Sequence, residues 1–63
     1  MRIMRLKEVI EKTGLSRSTI YNLISQGKFP KQIDLGARSV GWVDTEIEEW
    51  LEVKIAHRNA QEK

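Results

Sequence analysis

The sequence predicts a mostly α fold with one small β-hairpin, and three observations predict it. Apolar residues recur at helical spacing in three separate stretches: Leu6, Val9 and Ile10; Ile20, Leu23 and Ile24; and Ile47, Trp50, Leu51 and Ile55. Gly14 and Gly27 stand where the first two stretches end, where a residue with left-handed backbone closes a helix. Between the second and third stretches the period changes. Gln32-Ile33-Asp34-Leu35 alternates polar and apolar, Gly36-Ala37-Arg38-Ser39 is a turn candidate, and Val40-Gly41-Trp42-Val43 is rich in strand formers.

The first helix is expected over residues 6–13. Lys7, Glu8, Glu11 and Lys12 take its wet face. Glu8 and Lys12 stand four apart in the favourable order, a pair worth a few tenths of a kcal/mol. Its start is poorly capped, since neither Arg5 nor Leu6 is a capping residue. Thr13-Gly14-Leu15 then makes a three-residue connection to the second helix, and two helices joined in this way form a helix-turn-helix. Ahead of the pair, Arg2–Arg5 is read as extended or irregular, with Arg2 and Arg5 free to reach outward and Ile3 at the edge of the core.

The second helix is expected over residues 16–26, with Ser16 as N-cap, Gly27 at the exit and Pro30 soon after. Opposite its apolar face stand Ser18, Asn22 and Ser25, with Arg17 and Tyr21 on one flank and Thr19 and Gln26 on the other. Isolated helices shorter than about 12–15 residues are marginal in water, so the two must hold each other. A hairpin over residues 31–43 follows, with Ile33, Leu35 and Trp42 as candidates for its inner face and Arg38 at or near its tip. Gly41 in its second strand suggests a bulge or a close approach. A lone hairpin is unstable and must lean on the helices, which makes it a wing. The last helix is expected over residues 45–58, opened by Asp44 or Thr45, with Thr45 and Glu48 at capping-box spacing and acidic residues suited to a helix N-terminus. Val53 lies off its main stripe, and residues from about 59 to 63 are expected to fray as a flexible tail. The expected architecture is therefore one winged helix-turn-helix domain over residues 1–63.

Composition narrows the function. A chain of 63 residues buries only about 60% of the surface it exposes when unfolded, which leaves room for a small core and little for an enclosed active site. There is no cysteine, and His57 is the only histidine, so no metal set is implied. Phosphate-binding loops, dinucleotide fingerprints and a histidine base near any serine are likewise missing, so no enzyme and no cofactor are expected. No apolar run approaches the roughly 20 residues of a membrane span, and no secretory signal is recognisable at Met1–Arg5, so a cytoplasmic protein is expected.

The net charge of +2 hides an asymmetry. The first 42 residues carry +5 and the remainder −3. Within residues 13–42 the basic residues are Arg17, Lys28, Lys31 and Arg38, against the single acid Asp34. Such a distribution suits a protein with one side toward a polyanion, although an ordinary solvated surface also produces it.

The major groove of duplex DNA admits one α-helix and presents distinct donor and acceptor patterns on its base edges. A helix carrying Arg17, Ser18, Thr19 and Asn22 in its amino-terminal half suits that groove. Asn22 matches adenine, and Arg17 matches guanine or a phosphate. Thr19 and Tyr21, on the flanks, suit phosphates. Lys28 at the helix exit, Lys31, and Arg38 at the wing tip add backbone or minor-groove contacts. The alternative is a generic three-helix core with a meaningless polar face and a solubilising charge at the tip. Trp42 and Trp50 are read as core rather than as stacking platforms for single strands. Glu46, Glu48, Glu49 and Glu52 are read as a helix-capping, solvated run rather than a carboxylate site.

In order along the chain, Arg5-Leu6-Lys7-Glu8-Val9, Thr13-Gly14-Leu15-Ser16-Arg17-Ser18-Thr19-Ile20-Tyr21, Gly27-Lys28-Phe29-Pro30-Lys31, Leu35-Gly36-Ala37-Arg38-Ser39-Val40-Gly41-Trp42 and Glu46-Ile47-Glu48-Glu49-Trp50-Leu51 resemble the AlpA family. These are small prophage regulatory proteins related to phage excisionases and to the DNA-binding domain of MerR-type regulators. The resemblance covers roughly residues 4–55. It implies a winged helix-turn-helix on bacterial or phage DNA, in the nucleoid, with contacts from Arg17, Ser18, Thr19, Tyr21, Asn22 and Arg38. The expected role is a sequence-specific regulator of transcription, with further copies of the protein on adjacent sites. One alternative is an excisionase-like factor that bends DNA for an integrase. Another is a small protein-interaction module using the acidic last helix and Val53.

Overall fold

The computed structural model describes residues 1–61. Its elements in chain order are β1 (Ile3–Met4), α1 (Leu6–Thr13), α2 (Arg17–Ser25), β2 (Ile33–Gly36), β3 (Ser39–Val43) and α3 (Asp44–Gln61). The architecture is mostly helical with a small antiparallel sheet, as in a winged helix-turn-helix.

The expected two-stranded hairpin forms from β2 and β3, and strand β1 adds to it. The sheet has three strands in the order β1-β3-β2. Ile3 pairs with Val43 and Met4 with Trp42, while Ile33 pairs with Gly41 and Asp34 with Val40. The close approach expected at Gly41 is real: a Cβ there would overlap the Ile3 side chain and lie 3.2 Å from the Met4 carbonyl oxygen. The register irregularity falls on the opposite strand, between Asp34 and Gly36.

Asp44 secures the added strand. The Arg2 N–H donates to Asp44 Oδ1 at 2.9 Å, and the Asp44 N–H donates to the Arg2 carbonyl at 2.9 Å. The same Oδ1 accepts from the Thr45 N–H at 2.9 Å, so Asp44 rather than Thr45 caps α3. Glu48 is thereby free of the expected capping box and accepts from Lys12 at 3.1 Å. The expected Glu8–Lys12 pair is absent as well: Glu8 bonds the Arg2 guanidinium at 2.7 Å and the Arg5 N–H at 3.1 Å. The Arg2 guanidinium is thus exposed but paired with Glu8, and Glu8 supplies the capping that Arg5 cannot.

The ends of the first two helices follow their local signals. Gly14 adopts φ 73° and donates to the Ile10 carbonyl at 2.8 Å. Ser16 Oγ accepts from the Thr19 N–H at 3.2 Å, making Ser16 the N-cap. Gly27, at φ 71°, donates to Ile24 at 3.0 Å, and Lys28 donates to Leu23 at 2.8 Å. These two bonds form a Schellman closure of α2. The third helix runs longer than expected, through Gln61, so Asn59–Gln61 are helical; the rest of the expected tail, residues 62–63, lies outside the described residues.

The core takes a side chain from nearly every segment: Met4 from β1, Val9 from α1, Ile20 from α2, Phe29 from the following loop, Trp42 from β3 and Ile47 from α3. Strand β2 contributes none. Ile33 and Leu35, expected on the inner face, are 38% and 44% exposed. The hairpin leans on the body through β3, which touches both α1 and α3, and β2 lies beyond it as the outer strand.

Trp42 is fully buried and Trp50 half-buried, and both use their N–H groups. Trp42 Nε1 donates to the Pro30 carbonyl at 3.1 Å and Trp50 Nε1 to the Lys28 carbonyl at 2.8 Å. Phe29 packs edge-on against Trp50, with ring centroids 4.8 Å apart. The short loop between α2 and the hairpin is thus pinned at three successive residues.

Candidate nucleic-acid interface

Helix α2 presents Arg17, Ser18, Thr19 and Asn22 as exposed side chains, while Ile20 is buried behind them. Its amino-terminal turn is a cluster of hydroxyls. Ser16 Oγ lies 2.8 Å from Thr19 Oγ1 and 3.3 Å from Ser18 Oγ. Asn22 is exposed, and its backbone carbonyl accepts from Ser25 Oγ at 2.7 Å, so Ser25 is turned onto its own helix. Tyr21 is half-buried, and the Arg17 guanidinium sits over its ring, 5.9 Å from the centroid.

The remaining expected residues lie beyond the helix. Lys28 follows the Schellman glycine, and Lys31 lies in the loop before β2; both are exposed. Arg38 is exposed at the tip of the hairpin, where Ala37 and Arg38 have φ values of 48° and 62°. A two-residue hairpin turn of the primed type requires positive φ at both central residues. Strand twist thus forces Arg38 into a backbone region that L-residues rarely occupy. Five of the expected residues share α2, and the other three are distributed over the loop and the wing.

Charge pairing divides the cations into two groups. Among the described residues, the ion pairs are Arg2–Glu8 at 2.7 Å and Lys12–Glu48 at 3.1 Å. Arg58 is engaged by Asn59 Oδ1, and Lys54 sits over the Trp50 ring at 5.3 Å. Arg17, Lys28, Lys31 and Arg38 have no carboxylate partner among the described residues. Asp34, the acid nearest the wing tip in sequence, turns its Oδ1 to the Gly36 N–H at 2.8 Å. Carboxylates therefore pair two cations of the body, Arg2 and Lys12, and none of the cations of α2, its exit loop and the wing. Arg5 and Lys7 join this unpaired set. Arg5 is thus exposed and without an ion-pair partner, in line with the expectation that it reaches outward.

The family model for the prophage CP4-57 regulatory protein (AlpA) matches residues 2–55. The chain belongs to this family. AlpA proteins are regulatory proteins rather than enzymes. Two relatives share 47% identity with the chain over 57 residues. One is an uncharacterised protein, ORF88, of Enterobacteria phage P4, with 90% of this chain matched against 65% of that protein. The chain thus spans about two thirds of that relative's length. The other is the DNA-binding transcriptional activator AlpA of Escherichia coli strain K12, with 81% of each chain covered. No helix among the described residues is long and apolar enough to cross a membrane.

Proposed function

We propose that this protein is a sequence-specific regulator of transcription that binds double-stranded DNA through α2 and the wing. Helix α2 enters the major groove. Ser18 and Asn22 face base edges, with Arg17 at the helix entry. Thr19 and Tyr21 flank them. Lys28, Lys31 and Arg38 engage phosphates or the adjacent minor groove. The observation that carries this reading is the charge division: the four basic residues between Thr13 and Trp42 are exposed and have no acidic partner among the described residues, while Arg2 and Lys12 are paired. Unneutralised cations along α2, its exit loop and the wing of so small a protein suit a polyanionic partner. The Escherichia coli relative is a transcriptional activator, which favours transcription over a role in recombination.

A salt series tests the reading. Neutralising about five phosphates gives a slope of log affinity against log salt near −4 to −5. Gel shifts or fluorescence anisotropy with duplex DNA from the protein's own genomic neighbourhood would measure that slope. A flat salt response, or equal affinity for unrelated duplexes, would rule out specific docking of this kind.

A further inference from the structure

We infer that Tyr21 serves as a platform that holds the Arg17 guanidinium ready for its acceptor on DNA, and not as a hydroxyl contact to phosphate. The inference rests on the DNA-binding reading. Arg17 and Tyr21 are four residues apart on α2, so they share one side of the helix. The guanidinium lies 5.9 Å from the ring centroid, within the reach of a cation–π contact. Tyr21 is half-buried while Arg17 is exposed, so the ring is the anchored member and the arginine the presented one.

The choice of partner is what suits the pair to recognition. Helix α2 contains no acidic residue. A carboxylate would fix the guanidinium by consuming the in-plane N–H donors that a guanine edge or a phosphate must use. An aromatic face holds the group through its π surface and leaves those donors free. Arg2 shows the contrast, since its guanidinium is spent on Glu8 at 2.7 Å. Tyr21 is thus a positioning residue that acts through Arg17, and it limits the rotamer entropy Arg17 loses on binding.

The test compares Tyr21→Phe, Tyr21→Leu and Arg17→Ala in the full chain, with circular dichroism melts to verify folding. In the free protein, the Arg17 side-chain methylene protons are expected to show upfield ring-current shifts in NMR spectra. Tyr21→Phe should keep those shifts and Tyr21→Leu should lose them. In a selection from randomised duplexes, Tyr21→Phe should keep the wild-type base preference. Tyr21→Leu should flatten it by about two- to fivefold, at the same position that Arg17→Ala flattens. Adding Tyr21→Leu to Arg17→Ala should cause no further loss. If Tyr21→Phe weakens binding to all sequences alike, the hydroxyl is a phosphate contact and the inference fails. Unshifted Arg17 methylenes in a wild-type protein that does bind duplex would overturn the platform alone. A protein that binds no duplex overturns the DNA-binding reading along with it.

Discussion

The indole Nε1–H of Trp50, on α3, donates to the backbone carbonyl of Lys28 at 2.8 Å. This bond links the acidic third helix to the exit of α2, one residue beyond the glycine that closes it. Phe29, next in the chain, is buried edge-on against the same indole. An aromatic pair and one directional bond therefore tie the exit loop of α2 to α3.

Trp50→Phe keeps most of the ring and removes the donor. The expected loss is about 1 kcal/mol, typical of one net hydrogen bond. For a domain this size that is a fall of about 4–8 °C in Tm. Trp42→Phe should cost more, about 2–4 kcal/mol, because Trp42 is fully buried and its truncation leaves a cavity as well as an unpaired Pro30 carbonyl. Thermal melts of the two variants check the order. A larger loss for Trp50→Phe would mean that the exit loop, not the core, limits stability.

Gly41→Ala should destabilise by about 1–3 kcal/mol through overpacking. The new Cβ would overlap the Ile3 side chain and crowd the Met4 carbonyl, so the Ile3 side chain or β1 itself must shift. Ile3→Ala should absorb part of this cost. Chemical denaturation of the double variant is then expected to show a loss smaller than the sum of the two single ones. Strict additivity would indicate that the added methyl and the Ile3 side chain do not meet.

Local chemistry was legible in the sequence, and long-range choice was not. Ser16, Gly14 and Gly27 each signal a helix end by their own side chain or lack of one, and each acts where it stands. Strand β1 has only two residues and forms through its pairing with Trp42 and Val43, nearly forty positions away. The alternation of Ile33 and Leu35 marks a strand, but whether a face is covered depends on what lies over it, and on the outer strand both side chains stay exposed. Glu8 and Lys12 have the spacing of a pair, yet Arg2 and Glu48 win them. On the candidate interface, residue types and helical faces could be read directly. The positive φ of Ala37 and Arg38 could not, because neither residue advertises that conformation.

That turn makes a prediction in which stability and binding part company. Left-handed backbone costs an L-residue roughly 1–2 kcal/mol, and glycine is free of the penalty. Arg38→Gly should therefore stabilise the hairpin by about 1 kcal/mol and still weaken binding to every duplex by a similar factor. Ala37→Asn, which suits the turn and keeps the cation, should stabilise and leave affinity unchanged. Melting temperatures and anisotropy titrations on the two variants separate the effects. An Arg38→Gly variant that binds as tightly as wild type would remove the wing tip from the interface.

Acid should weaken the tie between β1 and α3. The Arg2 N–H holds the Asp44 carboxyl below its ordinary value of 3.8, partly opposed by desolvation and assisted by the Thr45 N–H and the amino terminus. A carboxylate depressed by folding contributes stability that is fully present above its unfolded pKa and is lost as pH falls through the folded one. The contribution of Asp44 is thus complete at neutral pH and disappears progressively below pH 3.8. Asp44→Asn keeps a capping acceptor and removes the titration. The difference in Tm between wild type and Asp44→Asn should be greatest near pH 7 and shrink below pH 3.8. A constant difference across that range would show that the charge of Asp44 plays no part in the tie.

Asn22 carries the sharpest prediction for recognition. Its side chain is exposed on α2, and both its amide donor and its carbonyl acceptor can engage one adenine. Asn22→Ala should cost about 1–3 kcal/mol on the preferred duplex and blur preference at a single base position. Because alanine favours helix, the variant should not lose stability through α2. Ser25→Ala is the matched control: Ser25 Oγ is turned to the Asn22 carbonyl, one turn nearer the helix exit, so its loss should leave base preference intact. Selection from randomised duplexes with both variants decides the matter. If Asn22→Ala changes affinity uniformly and no base position relaxes, α2 does not dock with this face toward the bases.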